Sequence, residues 1–332
     1  MGKMKDDRVI GIDIGGANTK IASADGNVMT RYLPLWKGAD LESELKRVKL
    51  DFKPDHVGVV ITGEITDRFI GKKEGVLHIA SVVNSVFDCV YFFDVRGRFS
   101  REIEDPRLHA ASNWVASVDF IAGKIRNCIF VDMGSTTCDI IPIKNGKHKA
   151  SITDFERLKR GELIYTGVLR TNIAALIKRL NLDGGYCRVS SELYAITADA
   201  HIILGTITER DYTCDTPDGR PCDIDSAYDR IARVVLCDIE ELGKGRAYEV
   251  AKQAAMAQID ELSTVILAHS QHHKLTTVLA AGMGESIIKN AAERSGLTVR
   301  LLSDTYGAKV SEVFPAFAVA NLLQQKVSGN TN

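Results

Sequence analysis

The stretches VIGIDIGGANTK (residues 9–20) and IFVDMGSTTCDI (residues 129–140) decide the fold, because the same unusual loop occurs in both. Each stretch is an apolar strand that ends in Asp, followed by small residues, hydroxyl side chains and a second apolar strand. Asp13 and Asp132 occupy matching places. One such loop is a weak signal. Two of them predict two related half-molecules that close on one phosphate-bearing ligand.

The segments around the loops predict an α/β protein, because strand patterns alternate with helical ones. The run HVGVVIT (56–62) is continuously apolar, which is typical of a central strand covered on both faces. Asp25-Gly26-Asn27 and Asn145-Gly146 are hairpin turn sequences that follow the two loops. Amphipathic spacing predicts the longer helices at 107–122, 163–180, 226–242, 247–271 and 309–325.

The bulk composition excludes several classes of protein. The chain has 42 basic and 43 acidic residues and a net charge of −1, which is unlike the basic footprint of a nucleic-acid-binding protein. No apolar run approaches membrane-spanning length, and the start MGKMKDDR lacks a signal-peptide core. The seven cysteines are scattered, and those in apolar surroundings are interpreted as buried free thiols of a reducing cytoplasm, namely Cys89, Cys128, Cys138 and Cys237. The sequence leaves the oligomeric state open, with a homodimer included.

The two loops have the composition of a phosphate-binding site. A strand-turn-strand with Gly, Ser and Thr at the bend exposes several backbone N–H groups on one side, and such a concavity binds phosphate oxygens. An ordinary hairpin turn explains one loop equally well, but it explains the pair poorly. The predicted diphosphate-binding residues are Gly15, Gly16, Asn18, Thr19, Gly134, Ser135, Thr136 and Thr137.

A diphosphate also requires positive charge near these loops. Lys20 supplies one charge if its side chain turns inward. Mg²⁺ is the predicted second source, and Asp13, Asp132 and Asp139 are its candidate ligands. These carboxylates would act through water, because Mg²⁺ dehydrates reluctantly.

A third element, AAGMGE (280–285), follows a predicted strand and precedes a predicted helix. Gly282 and Gly284 are candidates to pass under a flat base or another planar part of a ligand. A plain strand-to-helix turn is an equally good explanation.

Together these elements resemble the actin, sugar-kinase and heat-shock chaperone superfamily, and GGANTK and DMGSTTCD resemble the hydantoinase and oxoprolinase group most closely. The resemblance implies two ribonuclease-H-like domains with an interdomain cleft. The first domain would comprise residues 1–123 and 309–332. The second would comprise residues 124–308, with an insertion at about 184–225.

A narrower resemblance rests on GELIYTGVLRTNIAALI (161–177) and ADAHIILGTITERDYTCDTPDGRPCDIDSAYDRIAR (198–233). Both are similar to a small group of archaeal proteins and methylotroph relatives named for tetrahydromethanopterin-linked one-carbon transfer. The resemblance implies a transferase of methanofuran biosynthesis. Its substrates would be 5-(aminomethyl)-3-furanmethanol diphosphate and γ-glutamyltyramine, and diphosphate would be released.

For such a reaction the candidate catalytic residues are Asp13, Lys20, Asp132, Glu162 and Arg170. A furanmethyl diphosphate can ionise because the ring delocalises positive charge, so the protein must stabilise the departing diphosphate. The phenol that attacks has a pKa of about 10, so a carboxylate should help to remove its proton.

Residues of the narrower resemblance are candidates for substrate binding. Thr166, Gly167 and Arg170 would present a helix N-terminus and a guanidinium to an anion. Asp199 is a candidate base as well as a candidate salt-bridge partner. His201 is a candidate substrate contact or a buried structural histidine.

Two other classes of function stay open at this point. One is an ATP-dependent kinase or ATPase of the hydantoinase or sugar-kinase type, and the other is a non-catalytic nucleotide-binding protein. Turnover without ATP and release of diphosphate would distinguish the transferase from both.

Overall fold

The computed structural model describes residues 7–329. Within these residues the chain divides into two compact units. The first unit contains the residues up to 128, residues 141–159 and the residues from 302 onward. The second unit contains residues 129–140 and 160–301. The predicted domain ranges differ mainly in that they place residues 141–159 in the second domain.

The strands of the described chain are short and most are buried. They are β1 (Val9–Gly15), β2 (Asn18–Ser23), β3 (Val28–Tyr32), β4 (His56–Thr62), β5 (Val90–Phe93), β6 (Phe99–Ser100), β7 (Cys128–Met133), β8 (Cys138–Lys144), β9 (Lys147–His148), β10 (Leu163–Ile164), β11 (Arg179–Leu182), β12 (Gly185–Arg188), β13 (Thr277–Ala281) and β14 (Thr298–Leu301).

The helices lie between the strands, with short 3-10 turns at Leu35–Lys37 and Pro106–Leu108. They are α1 (Leu41–Phe52), α2 (Lys72–Val86), α3 (Asn113–Ala122), α4 (Asp154–Arg160), α5 (Ile173–Leu176), α6 (Thr197–Ile203), α7 (Ile224–Arg233), α8 (Ile239–Leu242), α9 (Lys244–His273), α10 (Glu285–Arg294), α11 (Ser303–Tyr306), α12 (Ala308–Glu312) and α13 (Phe314–Val327).

The sheet of the first unit has the order β3-β2-β1-β4-β5-β6. Strands β1, β2 and β3 are antiparallel neighbours, whereas β4 runs parallel to β1 and β5 runs parallel to β4. The sheet of the second unit has the order β10-β8-β7-β13-β14. Its β10 and β8 are antiparallel neighbours, whereas β13 runs parallel to both β7 and β14. This repeated hairpin-plus-parallel order confirms the predicted α/β class and its ribonuclease-H-like units.

Close packing on the first sheet depends on a residue without a side chain. A Cβ atom built at Gly11, in the middle of β1, would overlap the backbone oxygen of Ala316 in α13. Glycine therefore lets α13 lie directly on the sheet. The opposite face packs Ile12, Ile14 and Ile21 into an apolar core.

Several predicted helices have different bounds in the structure. The segment 107–122 is a 3-10 turn followed by α3, and 309–325 is divided between α12 and α13. The predicted insertion at 184–225 contains β12 and α6. Among residues 7–329, no helix is long and apolar enough to cross a membrane.

Candidate active site

The first loop lies where β1 and β4 end side by side. Asp13 is paired in register with Lys20 of β2, so the two side chains lie on the same face of the sheet. Thr62 at the end of β4 donates its hydroxyl to Asp13 Oδ1 at 3.1 Å. This end of the first sheet thus brings together a carboxylate, an ammonium group and the backbone of Gly15 and Gly16, with Asn18 half-buried beside them.

Thr19 is placed differently from the other residues of this loop. It is paired with Ile14, so its side chain lies on the opposite face from Asp13. Thr19 is fully buried, and its hydroxyl has no hydrogen-bond partner among the described residues. The structure therefore does not support the predicted contact between the Thr19 hydroxyl and diphosphate.

The second loop, residues 134–137, is held by the segment 165–170 of the same unit. The Val168 N–H donates to Gly134 O at 3.0 Å, and the N–H groups of Leu169 and Arg170 donate to Ser135 O at 3.1 and 2.9 Å. The four residues Gly134, Ser135, Thr136 and Thr137 are all half-buried. The loop is therefore partly accessible and has a fixed backbone.

The predicted helix at 163–180 is wrong, and with it the predicted helix N-terminus at Thr166. Leu163–Ile164 forms a strand, and only Ile173–Leu176 is helical. The Asn172 side chain caps that short helix by accepting from the Ala174 N–H at 2.9 Å. Arg170 nevertheless reaches the loop, since its Nη1 donates to Thr136 Oγ1 at 3.2 Å.

Gly167 brings the segment into direct contact with the second loop. A Cβ atom built there would overlap the backbone nitrogen of Thr136. We expect Gly167→Ala to lower the free energy of unfolding by about 1–3 kcal/mol, because backbone must shift to make room. Urea unfolding should show this loss, whereas Gly245→Ala in α9, where a Cβ meets nothing within 4 Å, should be neutral or stabilising. Equal behaviour of the two variants would contradict the close contact.

A buried hydrogen-bond network stabilises the segment 165–170. Gln258 Nε2 donates to Thr166 Oγ1 at 2.8 Å and to Gly167 O at 2.9 Å, so Gln258 Oε1 faces His201 Nε2 at 2.9 Å. His201 must therefore donate from Nε2. Burial lowers the pKa of His201, which favours the neutral ring. Thr166 and His201 are both buried, and this placement fits a supporting role better than the predicted substrate contact.

Asp199 is also a structural group of the second unit. It is fully buried, and its Oδ1 accepts from Arg230 Nε at 2.8 Å and from the Tyr212 hydroxyl at 2.9 Å. Its Oδ2 accepts from the Ile196 N–H at 3.0 Å. Because both oxygens are engaged, the structure does not support Asp199 as a base that contacts substrate.

Asp132 and Asp139 flank the second loop, at the end of β7 and the start of β8. Burial raises the pKa of the Cys138 thiol well above its usual range, and the charges of Asp139 and Asp132 add to this effect. Glu162 is buried next to β8, where its carbonyl accepts from the Ile140 N–H at 2.9 Å. The second unit therefore concentrates negative charge beside its loop.

The predicted glycines at 282 and 284 abut the same strand end. Gly282 has a φ of 88°, and a Cβ there would overlap Asp132 Oδ1. The Gly284 N–H donates to Met133 O at 3.0 Å. The close approach to Asp132 and Met133 by itself requires both glycines. Their contact with a planar ligand stays a prediction.

The donor chemistry in the second unit fits a magnesium ion. Mg²⁺ in proteins is usually held by one or two carboxylates, with water and substrate phosphates completing its shell. Asp132 and Asp139 provide two such carboxylates. No group of three or more His, Cys, Asp or Glu side chains in residues 7–329 is arranged to hold a metal ion. Magnesium stays a prediction, as does a ligand role for Asp13 in the first unit.

The sequence analysis missed Glu64, a buried acid that follows β4 in the first unit. Burial raises the pKa of Glu64 to about 7; the charges of Asp154 and Asp13 add to the rise, while Lys72 opposes it. The sequence did contain a signal that could have identified Glu64. Glu64 stands two residues after the apolar run 56–62, and ligands of α/β sheets bind at the carboxyl ends of parallel strands.

The chain belongs to the hydantoinase/oxoprolinase family, whose model matches residues 55–326. It is 40% identical over 328 residues to the (4-{4-[2-(gamma-L-glutamylamino)ethyl]phenoxymethyl}furan-2-yl)methanamine synthase of Methanocaldococcus jannaschii, which covers 96% of this chain and 98% of that protein. A protein of the same name from Methanococcus vannielii is 36% identical over 219 residues, covering 64% of this chain and 99% of that protein. Among solved structures, a ROK family glucokinase from Streptomyces griseus in complex with glucose and AMPPNP has 12% identity and a TM-score of 0.49, with 95% of this chain and 98% of that chain covered.

Proposed function

We propose that this chain is a transferase that condenses 5-(aminomethyl)-3-furanmethanol diphosphate with γ-glutamyltyramine and releases diphosphate. The proposal is supported by the name of the Methanocaldococcus jannaschii relative, which is matched over nearly its whole length. The product in that name contains a phenoxymethyl ether between a tyramine unit and a furan ring. Formation of this ether is the bond-making step of the proposed reaction.

The observation that carries the proposal is the contact between Arg170 and the second loop. The guanidinium donates to Thr136 Oγ1 at 3.2 Å, and Ser135 Oγ lies 3.4 Å from that same Thr136 oxygen. A guanidinium and several hydroxyls on a rigid backbone are a preorganised set of donors for diphosphate oxygens. Charge that develops on the leaving group would be stabilised at this loop.

A bound magnesium ion is compatible with the proposed reaction, although the roles of the protein's own residues do not depend on it. Asp132 and Asp139 would hold the ion, and the ion would neutralise part of the diphosphate charge. Arg170 and the loop hydroxyls then orient the leaving group. On the first unit, Lys20 and the backbone of Gly15 and Gly16 are proposed anion contacts.

The decisive experiment supplies the purified protein with Mg²⁺, the aminomethylfuran diphosphate and γ-glutamyltyramine in the absence of ATP. We expect the ether product and diphosphate in equal amounts, as measured by mass spectrometry and a phosphate-release assay. ATP hydrolysis without ether formation would instead support the ATP-dependent alternative. Nucleotide binding without any turnover would support a non-catalytic protein.

Arg170→Gln should lower this turnover by about 10²-fold, because it removes one preorganised donor to developing charge. Arg188→Gln is the matched control, since Arg188 is exposed on β12. Both variants should unfold at the wild-type urea concentration. Unchanged turnover in Arg170→Gln would remove the second loop from the diphosphate site.

A further inference from the structure

Glu64 is a buried acid of the first unit that the proposed reaction has not used. It lies in the segment GEITDRFIG (63–71), which joins β4 to α2. Its side chain is 1% exposed, and its Oε2 atom has no hydrogen-bond partner among the described residues. A buried oxygen without a partner destabilises a fold. Perturbed acids of this kind occur preferentially at functional sites.

Charged groups from three neighbouring elements act on Glu64: Lys72 of α2, Asp154 of α4 and Asp13 of β1. The ammonium of Lys72 forms a salt bridge with Asp154, with Nζ and Oδ2 3.0 Å apart. Two carboxylates and one paired ammonium group leave Glu64 in negative surroundings. These surroundings, together with burial, make its carboxylate a better proton acceptor than an exposed glutamate.

The backbone around Glu64 is fixed against the first loop. A Cβ atom built at Gly63 would lie 3.0 Å from the carbonyl group of Gly15, and one built at Gly75 in α2 would overlap the Glu64 backbone. The backbone that carries Glu64 is therefore held close to the end of β1, where the predicted anion contacts of the first unit lie. Preorganisation of this kind is what a proton-transfer group needs.

We propose that Glu64 is the general base that accepts the proton of the phenolic hydroxyl, an inference that rests on the proposed function. The phenol oxygen forms a bond to the furanmethyl carbon, and the bond from that carbon to the diphosphate oxygen breaks. The phenolic proton passes to the Glu64 carboxylate and leaves to water after the product departs. No electrons are gained or lost, and no further reactant is required.

The segment 63–71 also carries exposed apolar side chains. It contains no helix or strand, and its side chains at Ile65 and Ile70 are 69% and 100% exposed. Exposed apolar groups beside a buried acid match a substrate with an aromatic body and a phenolic end.

The test compares Glu64→Gln with wild type on two acceptors. With γ-glutamyltyramine, Glu64→Gln should lower turnover by about 10²–10⁴-fold, which is the usual contribution of a general base. An acceptor with a difluorinated, more acidic phenol ionises without help at pH 8. The variant should therefore regain most of the lost turnover with this acceptor, and a purely structural residue would not show such rescue. Glu102→Gln, at an exposed position, is the matched control.

The remaining outcomes distinguish failure of the base assignment from failure of the proposed function. Wild-type turnover in Glu64→Gln would overturn the base assignment, and so would equal losses with both acceptors. Absence of the ether product with the wild-type protein would instead overturn the proposed function. Glu64→Asp keeps a carboxylate and should keep more turnover than Glu64→Gln on γ-glutamyltyramine; the reverse order would also contradict the proposal.

Discussion

Arg230→Met is expected to lower the free energy of unfolding by about 3–5 kcal/mol, because it leaves the buried carboxylate of Asp199 without its charged partner. Both side chains are 0% exposed, and Nε lies 2.8 Å from Oδ1. Arg230 Nη1 also donates to Asp218 Oδ1 at 3.2 Å and to Pro221 O at 3.1 Å. Urea unfolding at 25 °C measures the loss directly.

The double variant Asp199→Asn with Arg230→Met should recover part of this loss, since no buried charge remains unpaired. The matched control is Arg246→Met, which breaks an exposed ion pair with Asp183 that has the same 2.8 Å separation. An exposed pair contributes about 1 kcal/mol or less. If Arg230→Met and Arg246→Met were equally mild, burial would not be what makes the Asp199 pair important.

Arg230→Met should also affect the second loop. Asp199 belongs to α6, and at the start of that helix Thr197 donates its hydroxyl to Gly167 O at 3.0 Å. The Ala198 N–H donates to Leu169 O at 3.1 Å. Loosening α6 would therefore loosen the segment that holds the loop, and residual folded Arg230→Met should turn over more slowly than wild type.

The hairpins around the two loops were predictable because their signals are local. Asn145 and Gly146 both have positive φ values, as the Asn-Gly turn sequence indicates. The apolar run 56–62 is buried as β4 on both faces of the sheet.

The segment 163–180 was mispredicted for a physical reason. Its apolar residues Leu169 and Ile173 have helical spacing, yet Leu169 reaches the core from irregular chain and Ile173 from the four-residue helix α5. The hydrogen bonds that fix this chain come from Gly134, Ser135 and Gln258, which are distant in sequence. Local periodicity carries no information on such partners.

Glu64 was missed because its distinguishing property is the environment and not the residue type. Glu64 lies in the sequence TGE (62–64), which looks like an exposed loop and belongs to no periodic apolar pattern. The helix α2, which buries Glu64, was not predicted. The unpartnered oxygen and the neighbouring charges of Asp13 and Asp154 appear only once the chain is folded. Arg170 shows the reverse case, since it was predicted as an anion contact on a helix, and its guanidinium lies on Thr136 although that helix is absent.

Glu64→Gln is expected to stabilise the protein at pH 8 although it slows the proposed reaction. The pKa of Glu64 is about 7 in the folded chain, where burial raises it from 4.5. The folded state therefore binds this proton more tightly than the unfolded state. The stability that the group contributes is full below about pH 4 and is lost as pH rises to about 7.

Glutamine keeps the same shape and cannot lose a proton, so the advantage of the variant over wild type should grow between pH 4.5 and 7. This stability advantage should level off at about 3 kcal/mol, because each unit of pKa shift corresponds to about 1.4 kcal/mol. Urea unfolding from pH 4 to 8 would measure it, with Glu102→Gln expected to show no such trend. A variant less stable than wild type at pH 8 would mean that Lys72 stabilises an ionised Glu64. A stabilised but slow variant would show that the fold keeps an unfavourable buried acid for its chemistry.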